Sequence, residues 1–475
     1  MTSPLPPRLA PYLEDQAPLM RLAARFADAG HSLYLVGGWL RDAIAGRELA
    51  EHDIDLATDA RPDDIEAVLH GWAEHLWLQG RRFGTIGAMH QGMRFEVTTF
   101  RGDVYRPDSR KPEVVFGDSV ETDLSRRDFT VNAMALALPQ LDFVDPFDGL
   151  ADLAARRLRT PLSVEVSFLD DPLRMLRAAR FASSLEFEPD PEVVEAMARH
   201  RDRLEIVSAE RIRDELSKLL VAPDPQAGLW LLARTRLADE FFPELNAMQL
   251  EQDPIHRHKD VLAHTIAVVA NTRPELRVRL AALMHDIGKP KTRGYAPGGV
   301  TFHHHEVVGA RMARERLVAL RYPNELVDEV VSLVALHLRF HTYRMGWTDS
   351  AVRRYVRDAG PLLDDLNHLT RCDCTTRNQK KAAALSRRMD ELVARIAELR
   401  EQEELASIKP PLDGRQVMEY LGVGPSAIVG KALAFLLEER LEHGPMSTAE
   451  AQDRLAEWAR ARGIEPAAPA DAGPG

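Results

Sequence analysis

Residues 35–58 read LVGGWLRDAIAGRELAEHDIDLAT, and the reading of their last part, HDIDLAT, decides how the first part of the chain is built. In an extended segment alternate side chains share a face, so Asp53 and Asp55 point one way and Ile54 points into a core. Two carboxylates on one face with few basic residues beside them repel each other unless a cation lies between them. Ahead of them, Gly37-Gly38 falls between a strand and a short helix. Backbone N–H groups at a helix start can face an anion, and glycine lets a phosphate approach closely. Arg41, one turn on, adds a cation. A DxD or a Gly-Gly alone is most often a solvated strand end or a tight turn. Side by side they have the layout of a site for Mg²⁺ and a triphosphate. A third carboxylate, Glu96 in RFEVTTF, alternates with Phe95 and Val97 and so faces away from the core.

The chain has 475 residues, too many for one ordinary core, and an apolar content of 45% that suits a globular protein. No apolar run reaches membrane-spanning length, and the opening MTSPLPPRLAPYLEDQ has prolines and acids where a signal peptide needs an apolar stretch. The expected location is cytoplasmic, with no membrane partner. Cys372 and Cys374 would point different ways on a helix, which excludes a disulfide framework and fits a reducing compartment. The net charge of −12 does not advertise a nucleic-acid binder, although the arginines are clustered.

The patterning predicts an N-terminal helical segment over 1–30 and an α/β head over 31–159, a small mixed sheet with helices. Strands are expected at HSLYLVGG, HDIDLAT, GTIGAMH and MRFEVTTF. A helical neck follows over 160–248, then a histidine-rich helical block over 249–400 and a small helical module over 401–465. Residues 466–475 have the composition of a disordered tail. In the head, DLSRRDFTVNAMA carries Arg126, Arg127, Asp128 and Asn132. Locally this reads either as a helix start with solvated charges or as an arginine fork reaching a triphosphate.

LVGGWLRD, DIDLAT, FEVTTFR and RRDFTVNAMA, in this order and spacing, resemble the catalytic head of the class II tRNA nucleotidyltransferase and poly(A) polymerase family. The resemblance implies that Asp53 and Asp55 bind the catalytic Mg²⁺, that Gly38 and Arg41 contact the nucleotide, and that Arg127 contacts its phosphates.

In the neck, LDDPLRMLRAARFASSL sets Asp171, Arg174, Arg177 and Arg180 three apart, a slowly drifting stripe on a helix. Asp171-Pro172 is also an ordinary helix opening. A carboxylate only accepts hydrogen bonds and a guanidinium only donates them. Side by side they match an exocyclic amine next to a ring-nitrogen acceptor, the edge that cytosine and adenine share. Uracil and guanine present a carbonyl beside an N–H and mismatch. The resemblance implies that Asp171 and Arg174 read the incoming base, with Arg177 and Arg180 assisting nucleotide binding. The family's Glu-Asp at this helix start is Asp170-Asp171 here. SAERIRDELSKLL matches the family's neck, where a structural role is implied.

The histidine block offers His264, His285-Asp286, His305, His337 and Asp373 from successive helices, the nitrogen and carboxylate donors that a buried one- or two-metal site needs. Its HDIGK motif resembles the HD phosphohydrolase superfamily, which implies a divalent metal and phosphatase or 2′,3′-cyclic phosphodiesterase activity. His303 and His304 compete for the third position; His305 matches best. LDGRQVMEYLGVGPSAIVGKALAFLLEERLEHGP is similar to the tRNA-gripping tail of bacterial members. The implied activity is untemplated addition of C, C and A to a tRNA 3′ end from CTP and ATP, releasing pyrophosphate. A poly(A) polymerase, or an enzyme adding only CC or only A, would share the head, and the segment RGDVYRPDSRKPEVVF is where that distinction is expected. A metal phosphohydrolase whose head binds a regulatory nucleotide is the rival from another class. An acidic protein that binds tRNA must do so through a local arginine-lined groove, with a clear salt dependence.

Overall fold

The computed structural model describes residues 7–49, 53–104, 113–250, 260–296, 299–343, 347–374, 379–402 and 408–466. Two compact units make up the chain: 1–247 with 319–321, and 248–318 with 322–475.

In the first unit a 3₁₀ turn over Pro7–Tyr12 and a helix over Pro18–Asp28 precede a seven-stranded mixed sheet. Its strands are β1 (Leu33–Val36), β2 (Asp53–Thr58), β3 (His75–Trp77), β4 (Thr85–His90), β5 (Met93–Thr99), β8 (Ala135–Leu138) and β9 (Phe143–Val144). Their spatial order is β3-β4-β5-β2-β1-β8-β9. Between them β6 (Arg101–Val104) and β7 (Glu113–Phe116) form a separate antiparallel ribbon. β2 and β5 run parallel, with Asp55 opposite Glu96 and Asp53 opposite Arg94. Period-two alternation buries Ile54, Leu56, Phe95 and Val97 and turns Asp55 and Glu96 to the other face. The four expected strands are all present. RRDFTVNAMA is not a helix start: a 3₁₀ turn over Thr130–Asn132 leads into β8, whose Leu136 and Leu138 pair with Leu35 and Leu33 of β1. Alanine and leucine have helical propensity, but an open edge beside β1 rewards extension with both backbone bonding and burial.

Helix α1 (Gly37–Ile44) follows β1 directly, and α2 (Val120–Ser125) follows β7. The neck is helical, with α3 (Leu173–Ser184), α4 (Ala209–Leu220) and α5 (Pro225–Arg234), apart from a two-residue parallel bridge between Arg157–Leu158 and Glu188–Pro189. α3 and α5 touch closely at Gly228. Its N–H donates to Ser183 Oγ at 2.9 Å, and a Cβ there would lie 2.4 Å from the Ala179 carbonyl oxygen.

The second unit is built on α6 (Val261–Asn271), α7 (Leu276–Met284), α8 (His305–Ala319), α9 (Asn324–Leu336) and α10 (Leu363–Asp373). It also holds a small hairpin, Gly294–Ala296 with Gly299–Thr301, that the helical reading of this block lacked. Helices over Gly414–Leu421, Ala427–His443 and Thr448–Arg460 enclose a small core around Leu421, Leu436 and Leu455. Among the described residues no helix is long and apolar enough to cross a membrane.

Substituting Gly228→Ala forces backbone apart at the α3–α5 contact. We expect a loss of about 1–3 kcal/mol, read as a lower apparent melting temperature of the whole chain, whereas an exposed Gly424→Ala leaves it unchanged.

Candidate active site and metal centre

A cleft of about 380 Å³ in the first unit is lined by Gly37, Gly38, Asp55, Glu96, Arg127 and the neck residues Asp171, Arg174, Arg177 and Arg211. Gly37 begins α1 with φ +80°, and a Cβ on it would sit 2.9 Å from Asp55 Oδ2 and 3.5 Å from Arg127 Nη1. Any side chain here would be strained and would fill the space above the carboxylate, so glycine keeps that face open. Glu96 shares the cleft and accepts from Arg94 at 2.7 Å. Asp53 occupies the strand position that shares Asp55's face, but its side chain lies outside the described residues. Asp55 and Glu96, adjacent across parallel strands, form an all-oxygen donor pair, the hard chemistry that suits Mg²⁺. On the other side Arg127 pairs with the buried Asp123 at 3.3 Å.

Asp171 lies between helices rather than on the arginine stripe. Its Oδ1 accepts from the Leu173 N–H at 3.1 Å and its Oδ2 from Arg211 at 2.9 Å. Arg174 is buried and locked: Nη1 donates to Ser167 Oγ at 2.9 Å, and Nη2 donates to the Arg126 carbonyl and, at 3.2 Å, to Asp170. The Asp-Asp helix start thus uses its first acid to hold Arg174 and leaves the second in the cleft.

Arg177 donates to Asp128 at 2.6 Å and lies 3.6 Å from Glu215. Arg180 and Arg41 do not line the cleft. Arg180 pairs with Glu215 at 2.9 Å, and Arg41 donates to Asn132 at 2.6 Å and pairs with Asp42 at 2.8 Å. The guanidiniums of Arg41, Arg177 and Arg180 stand 5.4, 5.3 and 4.3 Å from the ring centre of the buried Phe181. Burial lowers the Arg180 pKa to about 10 despite Glu215, so it stays charged at neutral pH. Asp123, Arg211 and Glu215 were not legible as site residues. Glu215 and Arg211 lie one turn apart on α4, in the segment expected to be only structural.

Asp128 is the centre of this network. Burial would raise its pKa, but Arg177, Asn132 and the Phe129 N–H outweigh it and lower the value from 3.8 to about 2. A depressed carboxylate stabilises the fold above its unfolded value and loses that contribution as pH falls through the folded one. The shift from 3.8 to about 2 corresponds to about 2–3 kcal/mol at neutral pH. Asp128→Asn should therefore lower the apparent melting temperature at pH 7, and the gap from the parent should narrow from about pH 4 downwards.

In the second unit every expected histidine-block residue converges. His264, His285 and Asp286 place one donor atom each within 4.8 Å of one another, as do Asp286, His305 and His337. Asp373 joins them, 2.9 Å from His264 Nε2 and 3.5 Å from His285 Nε2. His285 and His337 follow the C-terminal ends of α7 and α9, where backbone carbonyls lack intrahelical partners, and His305 opens α8. His285 Nδ1 donates to the Ala282 carbonyl at 2.7 Å, His305 Nδ1 to that of Phe302 at 2.7 Å, and His337 Nδ1 to that of Val334 at 2.6 Å. A carbonyl only accepts, so each of these Nδ1 atoms carries a proton and each Nε2 is turned toward the centre. Among the described residues the buried Nε2 of His337 has no hydrogen-bond partner, and Nε2 of His305 faces Asp286 Oδ1 at 3.4 Å. Burial and the neighbouring His285 lower the His337 pKa to about 3, so it is neutral at physiological pH. Burial also lowers that of His285, but Asp286 and Asp373 outweigh it and raise the value to about 10. Imidazole nitrogens gathered around a buried carboxylate fit a divalent metal. His341, 3.5 Å from Asp373 on the exposed side, and Lys289, 2.6 Å from Asp286, complete the centre. Asp286 belongs to both donor groups. Asp286→Ala should weaken Mn²⁺ or Zn²⁺ binding at least about tenfold by calorimetry.

Residues 33–159 match the model of the poly A polymerase head domain, 186–249 that of the probable RNA and SrmB-binding site of polymerase A, and 261–399 the HD domain. The chain is 32% identical over 445 residues to an A-adding tRNA nucleotidyltransferase of Deinococcus radiodurans, covering 90% of this chain and 95% of that one. It is 42% identical over 210 residues to a CCA-adding enzyme of Levilactobacillus brevis, a match that spans 44% of this chain and 51% of that protein. In fold it resembles the Bacillus stearothermophilus CCA-adding enzyme solved in complex with CTP, with a TM-score of 0.69 at 24% identity over 96% of this chain and 99% of the other. With a relative matched over nearly its whole length, the chain belongs to the tRNA nucleotidyltransferase and poly(A) polymerase family and is a nucleotidyl-transferring enzyme.

Proposed function

We propose that the chain adds C, C and A to the 3′ end of tRNA, using CTP and ATP without a nucleic-acid template and releasing pyrophosphate. One observation supports this reading: a single cleft holds the acidic pair Asp55 and Glu96 together with Asp171 and Arg174. The acids belong to nucleotidyl transfer. An Asp–Arg pair can offer an acceptor beside a donor, which would admit an amine-bearing base edge and refuse a carbonyl-bearing one. Asp53, Asp55 and Glu96 would hold Mg²⁺, which when bound activates the tRNA 3′ hydroxyl and offsets charge on the triphosphate. Gly37 and Gly38 leave room for the phosphates, and Arg127 stands ready to bind them with its planar fork. Arg174 is fixed before any nucleotide arrives, so base recognition requires little ordering of side chains. Arg41, Arg177 and Arg180 support the cleft through Asn132, Asp128 and Glu215.

The functional division we assign is a head over 31–159, a neck over 160–248, an HD domain over 249–400 and a tRNA-holding module over 401–465. In the HD domain, His264, His285, Asp286, His305, His337 and Asp373 would bind a divalent metal and support phosphate-ester hydrolysis as a side activity. Both cysteines are free, as a reducing compartment requires, and the cytoplasm is the location we infer.

A second reading, addition of the terminal A alone, is favoured by the nearly full-length relative that carries that activity in its name. Half of the segment expected to separate the two readings, 105–112, lies outside the described residues. The test supplies pure protein and Mg²⁺ with tRNA transcripts ending before CCA and after CC, each nucleotide singly, and CTP with ATP together. Ordered growth by C, C and A that then stops is the expected result. Extension only of the CC-ended transcript by ATP would establish the A-adding reading, and untemplated A runs on any RNA a poly(A) polymerase. Asp55→Asn should reduce extension at least about a hundredfold, since charge stabilisation of this kind dominates such chemistry.

A further inference from the structure

Arg211 reaches the cleft from the first turn of α4. Its backbone N–H is bound by the Ser208 side chain at 3.4 Å, and its guanidinium donates to Asp171 Oδ2 at 2.9 Å. Two features of this ion pair are unusual. A cation in the first turn of a helix faces the positive end of the helix dipole, so α4 itself disfavours the charge where it stands. The carboxylate that it engages is the one assigned above to an exocyclic amine. A guanidinium N–H and a nucleobase N–H₂ are the same kind of donor to the same acceptor.

We propose that Arg211 is the resting occupant of the base-reading carboxylate: it holds Asp171 in place of the amine and is displaced when CTP or ATP enters. This rests on the reading of Asp171 as the base-reading acid. Arg211 is half exposed, with 53% of its side-chain surface accessible, so it can swing into solvent without opening the core. Glu215, one turn further along α4, stays paired with Arg177 and Arg180 and keeps the helix in place.

The thermodynamic consequence is sharp. An occupant of the empty site opposes every nucleotide that must displace it by the same amount. It therefore lowers affinity for all of them and leaves the ratio between cytosine and uracil unchanged. That ratio belongs to Asp171 and Arg174 alone. An exposed ion pair of this sort corresponds to at most about a fivefold effect on binding.

The experiment measures equilibrium binding of CTP, ATP and UTP to the full chain and to Arg211→Ala, Arg211→Lys, Asp171→Asn and the Asp171→Asn/Arg211→Ala pair. We expect Arg211→Ala to tighten CTP, ATP and UTP alike, by up to about fivefold, with the CTP-to-UTP ratio unchanged. Arg211→Lys should fall between parent and alanine variant, and Arg211→Ala should add nothing in the Asp171→Asn background. Tighter binding cannot arise from misfolding. Weaker or unaltered CTP binding in Arg211→Ala, or an altered CTP-to-UTP ratio, would overturn the proposal and make Arg211 a nucleotide contact or a structural tie. If Asp171→Asn keeps the parent's CTP-to-UTP ratio, the base-reading assignment fails on its own. If Asp171→Asn abolishes that ratio and Arg211→Ala does nothing, only the resting-occupant proposal fails.

Discussion

The carboxylate of Asp128 is buried and accepts hydrogen bonds from the Phe129 backbone, from Asn132 and from Arg177. A charge so placed is tolerable only because its partners satisfy it, and the partners come from different parts of the first unit. Asn132 carries the contact on to Arg41 on α1, the helix that opens beside the acidic pair. Arg177 carries it to Glu215 on α4, which also binds Arg180. The sheet that holds Asp55 and Glu96 and the neck that holds Asp171 and Arg174 are thereby set against each other. The function proposed above needs that fixed separation, because both pairs would act on one nucleotide.

Arginines predicted to touch the nucleotide divide into two groups on this frame. Arg127 and Arg174 line the cleft, whereas Arg41 and Arg180 turn inward around the ring of Phe181. Arg177 belongs to both groups: it lines the cleft and also stands over Phe181, bound to Asp128. Arg174 is held by a short, stiff set of contacts, to Ser167, the Arg126 carbonyl and Asp170.

The histidine centre is built on another economy of the backbone. Helix ends leave carbonyls without intrahelical partners, and His285 and His337 follow directly on the ends of α7 and α9. Each Nδ1–H satisfies one such carbonyl and so fixes the ring orientation. The helices thus need no added residues to aim the Nε2 atoms at Asp286.

HDIDLAT, RFEVTTF and the Gly-Gly pair determined the strands, the shared face of Asp55 and Glu96 and the open approach at Gly37, because period-two alternation and glycine's freedom at positive φ are local properties. The histidine set was equally legible, since its residue types carry their chemistry with them. For RRDFTVNAMA a helix start and an arginine fork both stayed open locally, because the neighbour that makes its end extend, β1, lies far away in the chain. The tertiary structure alone decided which arginines face the cleft, that Asp171 leaves the helical stripe, and that Arg211 and Glu215 on α4 belong to the site. Those facts depend on which carboxylate packs beside which guanidinium across elements distant in sequence, and no local period encodes such a meeting.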